Sequence, residues 1–319
     1  IGRKAFLEKT WEWKNISGGT ISKQLRRMGA SIDWSREKFT LEPELSEAVK
    51  EVFIALYDEK MIYRGKRLVN WDPVIKTAVS DLEVRSRDEK GYLWHIKYDI
   101  SLKDESIVIA TTRPETMLGD TAIAINPDDE RFSHLIGGTA RVPLTEREIP
   151  IIGDDYVDKE FGTGCLKVTP AHDFNDFELG KKHSLEFINI FDKSGQINNN
   201  GPKQFQGLDR FIARKKILSE LKKEGRLVKQ VDHQLKVPRG ERTGSIIEPF
   251  LTEQWFVRVE PLAKPAIEAV KKGQIKFTPK NWERTYFRWM EEIEDWCISR
   301  QRSWGVPIPL IVHNETGEL

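Results

Sequence analysis

The chain has 319 residues, and its 51 lysines and arginines nearly balance its 50 aspartates and glutamates, which gives a formal net charge of +1. This balance excludes a uniformly basic nucleic-acid coat, so a nucleic-acid partner would have to bind to local patches. With 39% hydrophobic residues the chain can fill a sizeable core, and its length allows two domains or one domain with an insertion.

No apolar run approaches the roughly 20 residues that span a bilayer, and no signal peptide is visible, so we expect a cytoplasmic protein that binds no membrane. The cysteines, Cys165 and Cys297, lie far apart in the sequence. They fit reduced thiols better than a disulfide framework.

Hydrophobic spacing divides the chain into three sections. Residues 1 to about 80 have a mostly helical pattern, and apolar residues at helical spacing predict a helix from Ser46 to Lys60. From about residue 85 to 236 the pattern becomes β-rich, with strand-like runs at Leu93 to Ile100, Ser106 to Ala110 and Cys165 to Thr169. One helix interrupts this section, between an N-cap at Asp209 and Gly225.

After about residue 237 the pattern turns helical again. Aromatic and apolar residues recur every three or four positions from Trp282 to Trp296, behind a cap at Asn281, and predict an amphipathic core helix. We therefore predict a helical region that is split by a β-rich insertion whose two ends lie close together.

The densest polar cluster follows the turn Gly162-Thr163-Gly164, whose glycines let the backbone approach a ligand closely. Within ten residues it contains Lys167, Thr169, His172, Asp173 and Asp176. Lys167 and Thr169 alternate with Val168 and therefore point to one face of a strand. Such a cluster can bind and hydrolyse a polar compound.

A second polar motif directly follows the apolar run from Ile107 to Ala110. It contains Thr111, Thr112, Arg113, Glu115 and Thr116. Polar patches at the ends of apolar strands are the expected form of a pocket on a β scaffold.

The two motifs read Thr-Thr-Arg-Pro-Glu-Thr from residue 111 and Gly-Thr-Gly-x-x-Lys-Val-Thr-Pro-Ala-His-Asp-x-x-Asp from residue 162. Together they resemble the editing domain of class I aminoacyl-tRNA synthetases for branched aliphatic amino acids, and the unbroken Val-Thr-Pro-Ala-His-Asp is similar to the valine-specific group. Residues 18–21, 29–34, 70–73 and 296–307 agree, so the resemblance spans nearly the whole chain. It implies an α/β multidomain fold, with a β-barrel-like editing domain at 85–236 inserted into a partial Rossmann-type catalytic domain at 1–84 and 237–319.

Complete members of this family carry a His-Ile-Gly-His type motif early and a Lys-Met-Ser-Lys-Ser type motif late, and both bind the phosphates of ATP. Neither motif occurs here, so we expect a central fragment whose synthetic site is incomplete. The resemblance assigns ATP and Mg to the intact enzyme and no cofactor to this part. Where some members carry zinc-binding cysteines, this sequence has Asp72 and Ile75, and we expect no metal there.

The activity implied by the resemblance is hydrolysis of mischarged threonyl-tRNA(Val), while the parent enzyme, expected to be a monomer, attaches valine to tRNA with ATP. A hydrophobic valine pocket cannot strongly reject the isosteric threonine, so a second site must destroy the wrong product. Two other classes stay open. One is a freestanding aminoacyl-tRNA deacylase that acts in trans, and the other is a non-catalytic tRNA-binding module.

The resemblance also implies the site residues. Catalytic roles fall on Thr111, Thr112, Arg113, Lys167, Thr169 and Asp173. Substrate contacts fall on Glu115, Thr116, Phe161, His172, Asp176 and Trp304. Asp173 would bind the α-ammonium of the substrate, and Asp176 would read the threonine hydroxyl. The alternatives are a helix cap for Glu115 and Thr116, a general base or a structural role for His172, and core packing for Trp304.

Overall fold

The computed structural model describes residues 1–311 and 313, which form two compact units. Unit 1 comprises Ile1–Gly65 and the chain from Trp255 onward, and unit 2 comprises Lys66–Gln254. The fold is mixed α/β. The compact units change at 65/66 and 254/255, whereas the domain boundaries at 84/85 and 236/237 stay a prediction from the sequence.

Three helices come first, eight strands follow, and two further pairs of helices are separated by two strands. The helices are α1 (Arg3–Ser17), α2 (Thr20–Arg27), α3 (Pro43–Asp58), α4 (Phe174–Lys182), α5 (Arg210–Lys223), α6 (Glu260–Lys271) and α7 (Trp282–Glu291). The strands are β1 (Ile62–Asp72), β2 (Thr77–Ala78), β3 (Val84–Ile100), β4 (Ser106–Thr111), β5 (Ala122–Ile125), β6 (Thr139–Arg141), β7 (Glu148–Gly153), β8 (Cys165–Val168), β9 (Leu227–Gly240), β10 (Glu248–Val257) and β11 (Trp296–Cys297). Short 3-10 turns lie at Trp34–Arg36, Asp81–Glu83, Pro114–Gly119 and Ser133–Leu135.

Unit 2 is built on a sheet with the strand order β4-β3-β6-β7-β5-β8, and β9 pairs with β3 outside this order. β3 and β9 form a long antiparallel ribbon that starts with Val84 opposite Gly240. β5 pairs in parallel with β7 and antiparallel with β8, where Ile123 lies opposite Lys167. The pairing of β5 with β8 brings the second polar cluster into the sheet that β4 also joins.

The core of unit 2 follows from the strand patterns. In β3 the residues Ile96, Tyr98 and Ile100 are buried at alternate positions, as expected for a strand with one face on the core. All four residues of β5 are fully buried, because Ile123 and Ile125 pack in the main core cluster and Ala122 and Ala124 pack in a second cluster. Helix α5 adds Ala213, Ile217 and Leu221 to the same cluster.

Unit 1 has a smaller buried cluster. Phe53 of α3 packs with Ile62 and Val257, and partly buried side chains surround them. Strand β10 pairs antiparallel with β11, with Phe256 opposite Cys297. None of the helices among residues 1–311 and 313 combines the length and apolar character needed to cross a membrane.

Several sequence predictions are confirmed. The helix predicted from Ser46 is α3, which begins earlier because Pro43 fits the first helical turn. The predicted cap of α5 is present, since the Asp209 carboxylate accepts a hydrogen bond of 2.9 Å from the Phe211 amide. Gly225, with φ of +67°, follows that helix, as predicted. The three predicted strand-like runs lie in β3, β4 and β8.

Other sequence predictions are wrong. The first section has the predicted helical pattern only as far as Asp58, and it ends in β1 and β2, which the sequence did not indicate because charged residues in β1 hide the strand pattern. The last section contains β10 before its helices. Helix α7 ends at Glu291 rather than near Trp296, it buries none of its side chains, and Asn281 makes no side-chain capping bond. The helix α4 was not predicted as an element.

Candidate functional site

The two polar motifs meet at one cavity of about 440 Å³ in unit 2. Strand β4 delivers the first motif at its carboxyl end, and β8 delivers the second before the chain turns into α4. All of the predicted site residues except Glu115 and Trp304 line this cavity: Thr111, Thr112, Arg113, Thr116, Phe161, Lys167, Thr169, His172, Asp173 and Asp176.

Lys167 is the centre of a buried hydrogen-bond network on the cavity wall. Its Nζ donates to Thr116 Oγ1 at 2.9 Å and to Asp120 Oδ1 at 3.2 Å, and it also contacts Thr169 Oγ1. Only 8% of the surface of Lys167 is exposed, so these contacts replace its hydration. The predicted common face of Lys167 and Thr169 is confirmed by their side-chain contact.

Asp120 completes this network, although it lies outside both polar motifs of the sequence. Its Oδ1 accepts from the Thr169 hydroxyl at 2.6 Å, and its Oδ2 accepts from the Tyr98 hydroxyl at 2.7 Å. Burial raises the pKa of Asp120, against the opposing effect of the Lys167 ammonium. Burial, followed by the Asp120 charge, raises the pKa of Tyr98 well above its ordinary value, so its hydroxyl keeps its proton.

The two aspartates at the start of α4 have different environments. Asp173 is the exposed N-cap, and its Oδ1 accepts from the amides of Asn175 and Asp176 at 2.9 and 3.2 Å. Asp176 is buried, and its Oδ2 accepts from the Thr169 amide at 2.8 Å. Burial, followed by the charge of Asp173, raises the pKa of Asp176 to about 7.

His172 is buried beside the cavity as a neutral ring. Its Nε2 accepts a hydrogen bond of 3.0 Å from the Ile190 amide, so the ring proton lies on Nδ1. Burial, followed by the charges of Arg113 and Lys167, lowers the pKa of His172 well below its ordinary value. The lone pair that a general base needs is already occupied, which favours the structural alternative for this residue.

Arg113 and Glu115 belong to a buried ionic network behind the first motif. Arg113 donates to the His172 carbonyl at 2.9 Å and pairs with Glu248. The Glu115 carboxylate receives two bonds of 2.7 Å from Arg214. Burial alone would raise the pKa of Glu115, but Arg214 and Arg113 hold it below its ordinary value. Glu115 therefore supports the wall from behind and does not line the cavity.

The turn that carries Phe161 lies at the edge of the cavity. Phe161 is 67% exposed and lines the cavity, so its ring can cover a ligand. Gly164 has φ of +79°, and a Cβ there would lie 2.5 Å from the Arg131 guanidinium, so the turn requires glycine. Trp304 lies in unit 1, where its ring centroid is 4.9 Å from that of Trp11.

The segment around Asp72 and Ile75 is held by side-chain hydrogen bonds. The Asp72 carboxylate accepts from the hydroxyls of Thr243 and Ser245 at 2.5 and 3.1 Å. Across the described residues, 1–311 and 313, no group of three His, Cys, Asp or Glu side chains is arranged to hold a metal ion.

The raised pKa of Asp176 predicts a pH-dependent stability. On folding, the pKa of the Asp176 carboxyl moves from 3.8 to about 7. The carboxyl is therefore protonated in both the folded and the unfolded chain below pH about 4, and it is ionised in both above pH about 7. Between these values the folded state holds the extra proton, so the free energy of unfolding falls as pH rises. Across this pH interval the wild type should lose about 4 kcal/mol of unfolding free energy relative to Asp176→Asn, which has no carboxyl to titrate at this position. Urea unfolding from pH 4 to 8 measures it.

The control for this measurement is Glu178→Gln, which changes an exposed carboxylate of the same helix. Its unfolding free energy should follow that of the wild type across the pH range. A constant difference between the wild type and Asp176→Asn at every pH would contradict the raised pKa.

Comparisons with known proteins agree with the two motifs. The family model for tRNA synthetases class I (I, L, M and V) matches residues 1–319. A protein of Legionella pneumophila (strain Paris) named valine–tRNA ligase is 61% identical over 309 residues, which are 97% of this chain and 34% of that protein. Proteins of the same name from Francisella tularensis subsp. tularensis and Coxiella burnetii are 59% and 56% identical over the same shares. The chain thus spans about a third of the length of these relatives, and it belongs to the class I tRNA synthetase family.

Proposed function

We propose that this chain is the central part of a valine–tRNA ligase and that unit 2 edits by hydrolysing threonyl-tRNA(Val). The observation that carries the proposal is the meeting of two polar motifs at one cavity of about 440 Å³, in a chain of the class I family. A cavity of this volume suits a small organic group. The relative named valine–tRNA ligase, 61% identical, supports valine as the cognate amino acid and tRNA(Val) as the partner.

The path of the chain supports an inserted editing domain. The chain leaves unit 1 after Gly65 and returns to it at Trp255, as it does around an inserted domain. The β-rich part at 85–236 lies inside unit 2, and its sheet is the basis for proposing a β-barrel-like editing domain. The flanks at 1–84 and 237–319 would then belong to the Rossmann-type catalytic domain of the parent enzyme.

Asp173 is suited to bind the α-ammonium of the threonyl group. Its Oδ1 caps α4, which leaves Oδ2 for a charge-assisted hydrogen bond. The residue lines the cavity and is exposed enough to meet a ligand. Its two oxygens would therefore hold the helix and the substrate at the same time.

Asp176 is suited to read the threonine hydroxyl. Its Oδ2 is taken by the Thr169 amide, and its buried carboxyl lines the cavity. A threonine hydroxyl can pair with this group, whereas the valine methyl group at the same place leaves it desolvated and unpaired. Discrimination by a lost polar contact is stronger than discrimination by one methyl group.

The hydrolytic step would rely on a positioned water. His172 cannot accept a proton at Nε2, because the Ile190 amide occupies that lone pair. The wall formed by Thr111, Lys167 and Thr169 offers hydroxyl oxygens that can hold a water near an ester carbonyl. Arg113, held by Glu248, fixes the carbonyl of His172 next to this wall.

Valine activation is assigned to the parent enzyme. It would need ATP and Mg, and the sequence has neither of the family's ATP-phosphate motifs. We further propose that the parent enzyme is a monomer of the cytoplasm, where tRNA is charged for translation.

Two alternatives make different predictions. A freestanding deacylase would not need the synthetase-like flanks, and the family match over residues 1–319 counts against it. A non-catalytic tRNA-binding module would not need a cavity lined by buried ionisable residues such as Lys167 and Asp176. A deacylation assay separates hydrolysis from binding.

We expect this chain to release threonine from threonyl-tRNA(Val) and to leave valyl-tRNA(Val) largely intact. We also expect no valine-dependent exchange of pyrophosphate into ATP, because the ATP-phosphate motifs are absent. Both reactions are measured on the purified 319-residue chain. Pyrophosphate exchange above background, or threonyl-tRNA(Val) that decays no faster than without protein, would contradict the proposal.

The charge of Asp173 can be tested separately from its helix cap. Asn is also a good N-cap, so Asp173→Asn should keep the thermal midpoint while removing the counter-ion of the substrate ammonium. A charge-assisted hydrogen bond contributes roughly 1.5–3 kcal/mol, so deacylation should slow at least about tenfold.

The matched control for this variant is Asp155→Asn, because the Asp155 side chain is 92% exposed and lies outside the cavity lining. It should deacylate at the wild-type rate. If folded Asp173→Asn also kept the wild-type rate, Asp173 would have no role in binding the ammonium.

A further inference from the structure

Asp120 stands directly behind the cavity wall. It is fully buried and does not line the cavity, but it touches two residues that do, Lys167 and Thr169. Its backbone is also fixed, because Arg147 donates to the Asp120 carbonyl at 3.0 Å. A Cβ on the preceding Gly119 would lie 3.0 Å from the Ile188 carbonyl, so a larger residue would fit there only if its neighbours moved.

The Lys167 ammonium has no donor left for a ligand. It carries three hydrogens and has three acceptors, namely Thr116 Oγ1, Asp120 Oδ1 and Thr169 Oγ1. A substrate oxygen could receive a hydrogen bond from Lys167 only if one of these contacts were broken. The ammonium therefore affects a ligand only indirectly, by fixing the positions of Thr116 Oγ1, Asp120 Oδ1 and Thr169 Oγ1.

The hydroxyls beside Lys167 have a fixed direction. The hydrogen of Thr169 points to Asp120 Oδ1 at 2.6 Å, and the hydrogen of Thr116 points to the Arg113 carbonyl at 2.9 Å. Each oxygen also accepts a hydrogen bond from Lys167. Since a hydroxyl oxygen has two lone pairs, each retains one as an acceptor and has no hydrogen to offer.

We propose that Asp120 is a positioning residue that makes Thr169 Oγ1 a hydrogen-bond acceptor toward the editing cavity. This inference rests on the proposed editing function and adds a residue to it. The group that Thr169 would accept from is a hydroxyl donor, which is either the attacking water or the side chain of the threonyl ester. A carboxylate is needed because it can only accept, which forces the Thr169 hydrogen away from the ligand.

An amide at position 120 would weaken this constraint. In Asp120→Asn the single side-chain oxygen would face Lys167 and Thr169 and the nitrogen would face Tyr98, so the Thr169 hydrogen would be held by a neutral acceptor instead of a charged one. Lys167 would also lose its buried counter-charge. The variant has nearly the same shape as the wild type, so its main effect is on the direction and charge of the network.

The experiment measures single-turnover deacylation of threonyl-tRNA(Val) by the 319-residue chain in excess. We expect Asp120→Asn to lower the rate constant at least about tenfold, which corresponds to a lost charge-assisted hydrogen bond. The concentration of protein at half-saturation should change less than about twofold, because tRNA binding as a whole is unaffected.

The matched control is Asp72→Asn. Asp72 is another buried carboxylate that accepts from two hydroxyls, those of Thr243 and Ser245, and it does not line the cavity. It should deacylate within about twofold of the wild type. Thermal melting of both variants shows whether they are folded.

A double-mutant cycle identifies the route of the effect. Thr169→Ser keeps the hydroxyl and should stay within about threefold of the wild type, whereas Thr169→Val should lose at least about tenfold. If Asp120 acts through Thr169, adding Asp120→Asn to Thr169→Val should slow the reaction by less than about threefold further. Multiplicative losses would overturn the inference.

The threonyl and valyl esters distinguish the two donors. If Asp120→Asn slows both esters equally, Thr169 accepts from the attacking water, and if it slows only the threonyl ester, Thr169 accepts from the side-chain hydroxyl. Either result supports the acceptor role. The acceptor role is overturned if Asp120→Asn reacts with the wild-type rate constant, or if only its protein concentration at half-saturation changes.

Tyr98→Phe provides a second variant if Asp120→Asn does not fold. It removes one hydroxyl from Asp120 Oδ2 without touching the cavity and should slow deacylation about threefold to tenfold. An unchanged rate in folded Tyr98→Phe overturns the inference. If the wild type releases no threonine, the proposed editing function is wrong. If the wild type is active and Asp120→Asn is equally active, only the inference about Asp120 is wrong.

Discussion

A buried ion pair between Lys167 and Asp120 is the interaction on which the rest of the site depends. Its atoms lie 3.2 Å apart, and it joins β8 to the segment that precedes β5. A buried pair is stable only when the other donors and acceptors of both partners are satisfied, and here Tyr98, Thr116 and Thr169 satisfy them. Loss of one partner would leave an uncompensated charge at a cost of about 3–5 kcal/mol.

A second layer of charges holds the first polar motif in place. Arg113 lies between Glu248 and Glu115, and Glu115 is paired with Arg214 on α5. Arg113 itself lines the cavity, and the carboxylates of Glu248 and Glu115 balance its charge. His172 is neutral and Asp176 has a pKa near neutrality, so the cavity combines hydrogen-bonding capacity with few free charges. Such preorganised surroundings suit the binding of an ester and a water.

The sequence predicts the cavity but not the residues that support it. Lys167 and Asp176 are visible because they lie in one short motif, and strand alternation correctly places Lys167 beside Thr169. Asp120 and Tyr98 come from other strands and segments, and no spacing rule links them to the motif before the sheet is formed. The partner of Glu115 likewise cannot be predicted from the sequence, since Arg214 lies on a helix 99 residues later in the chain. The strand β1 was missed because tertiary pairing overrides a local pattern rich in charges.

The ratio of threonyl-tRNA(Val) to valyl-tRNA(Val) deacylation rates, compared between the wild type and Asp176→Ala, shows whether the cavity selects threonine through the Asp176 carboxyl. If the buried carboxyl reads the threonine hydroxyl, its removal should slow the threonyl ester and relax the penalty against the valyl ester, so the ratio should fall at least about tenfold. Equal slowing of both esters, with the ratio unchanged in a folded variant, would contradict a cavity that selects threonine through this carboxyl.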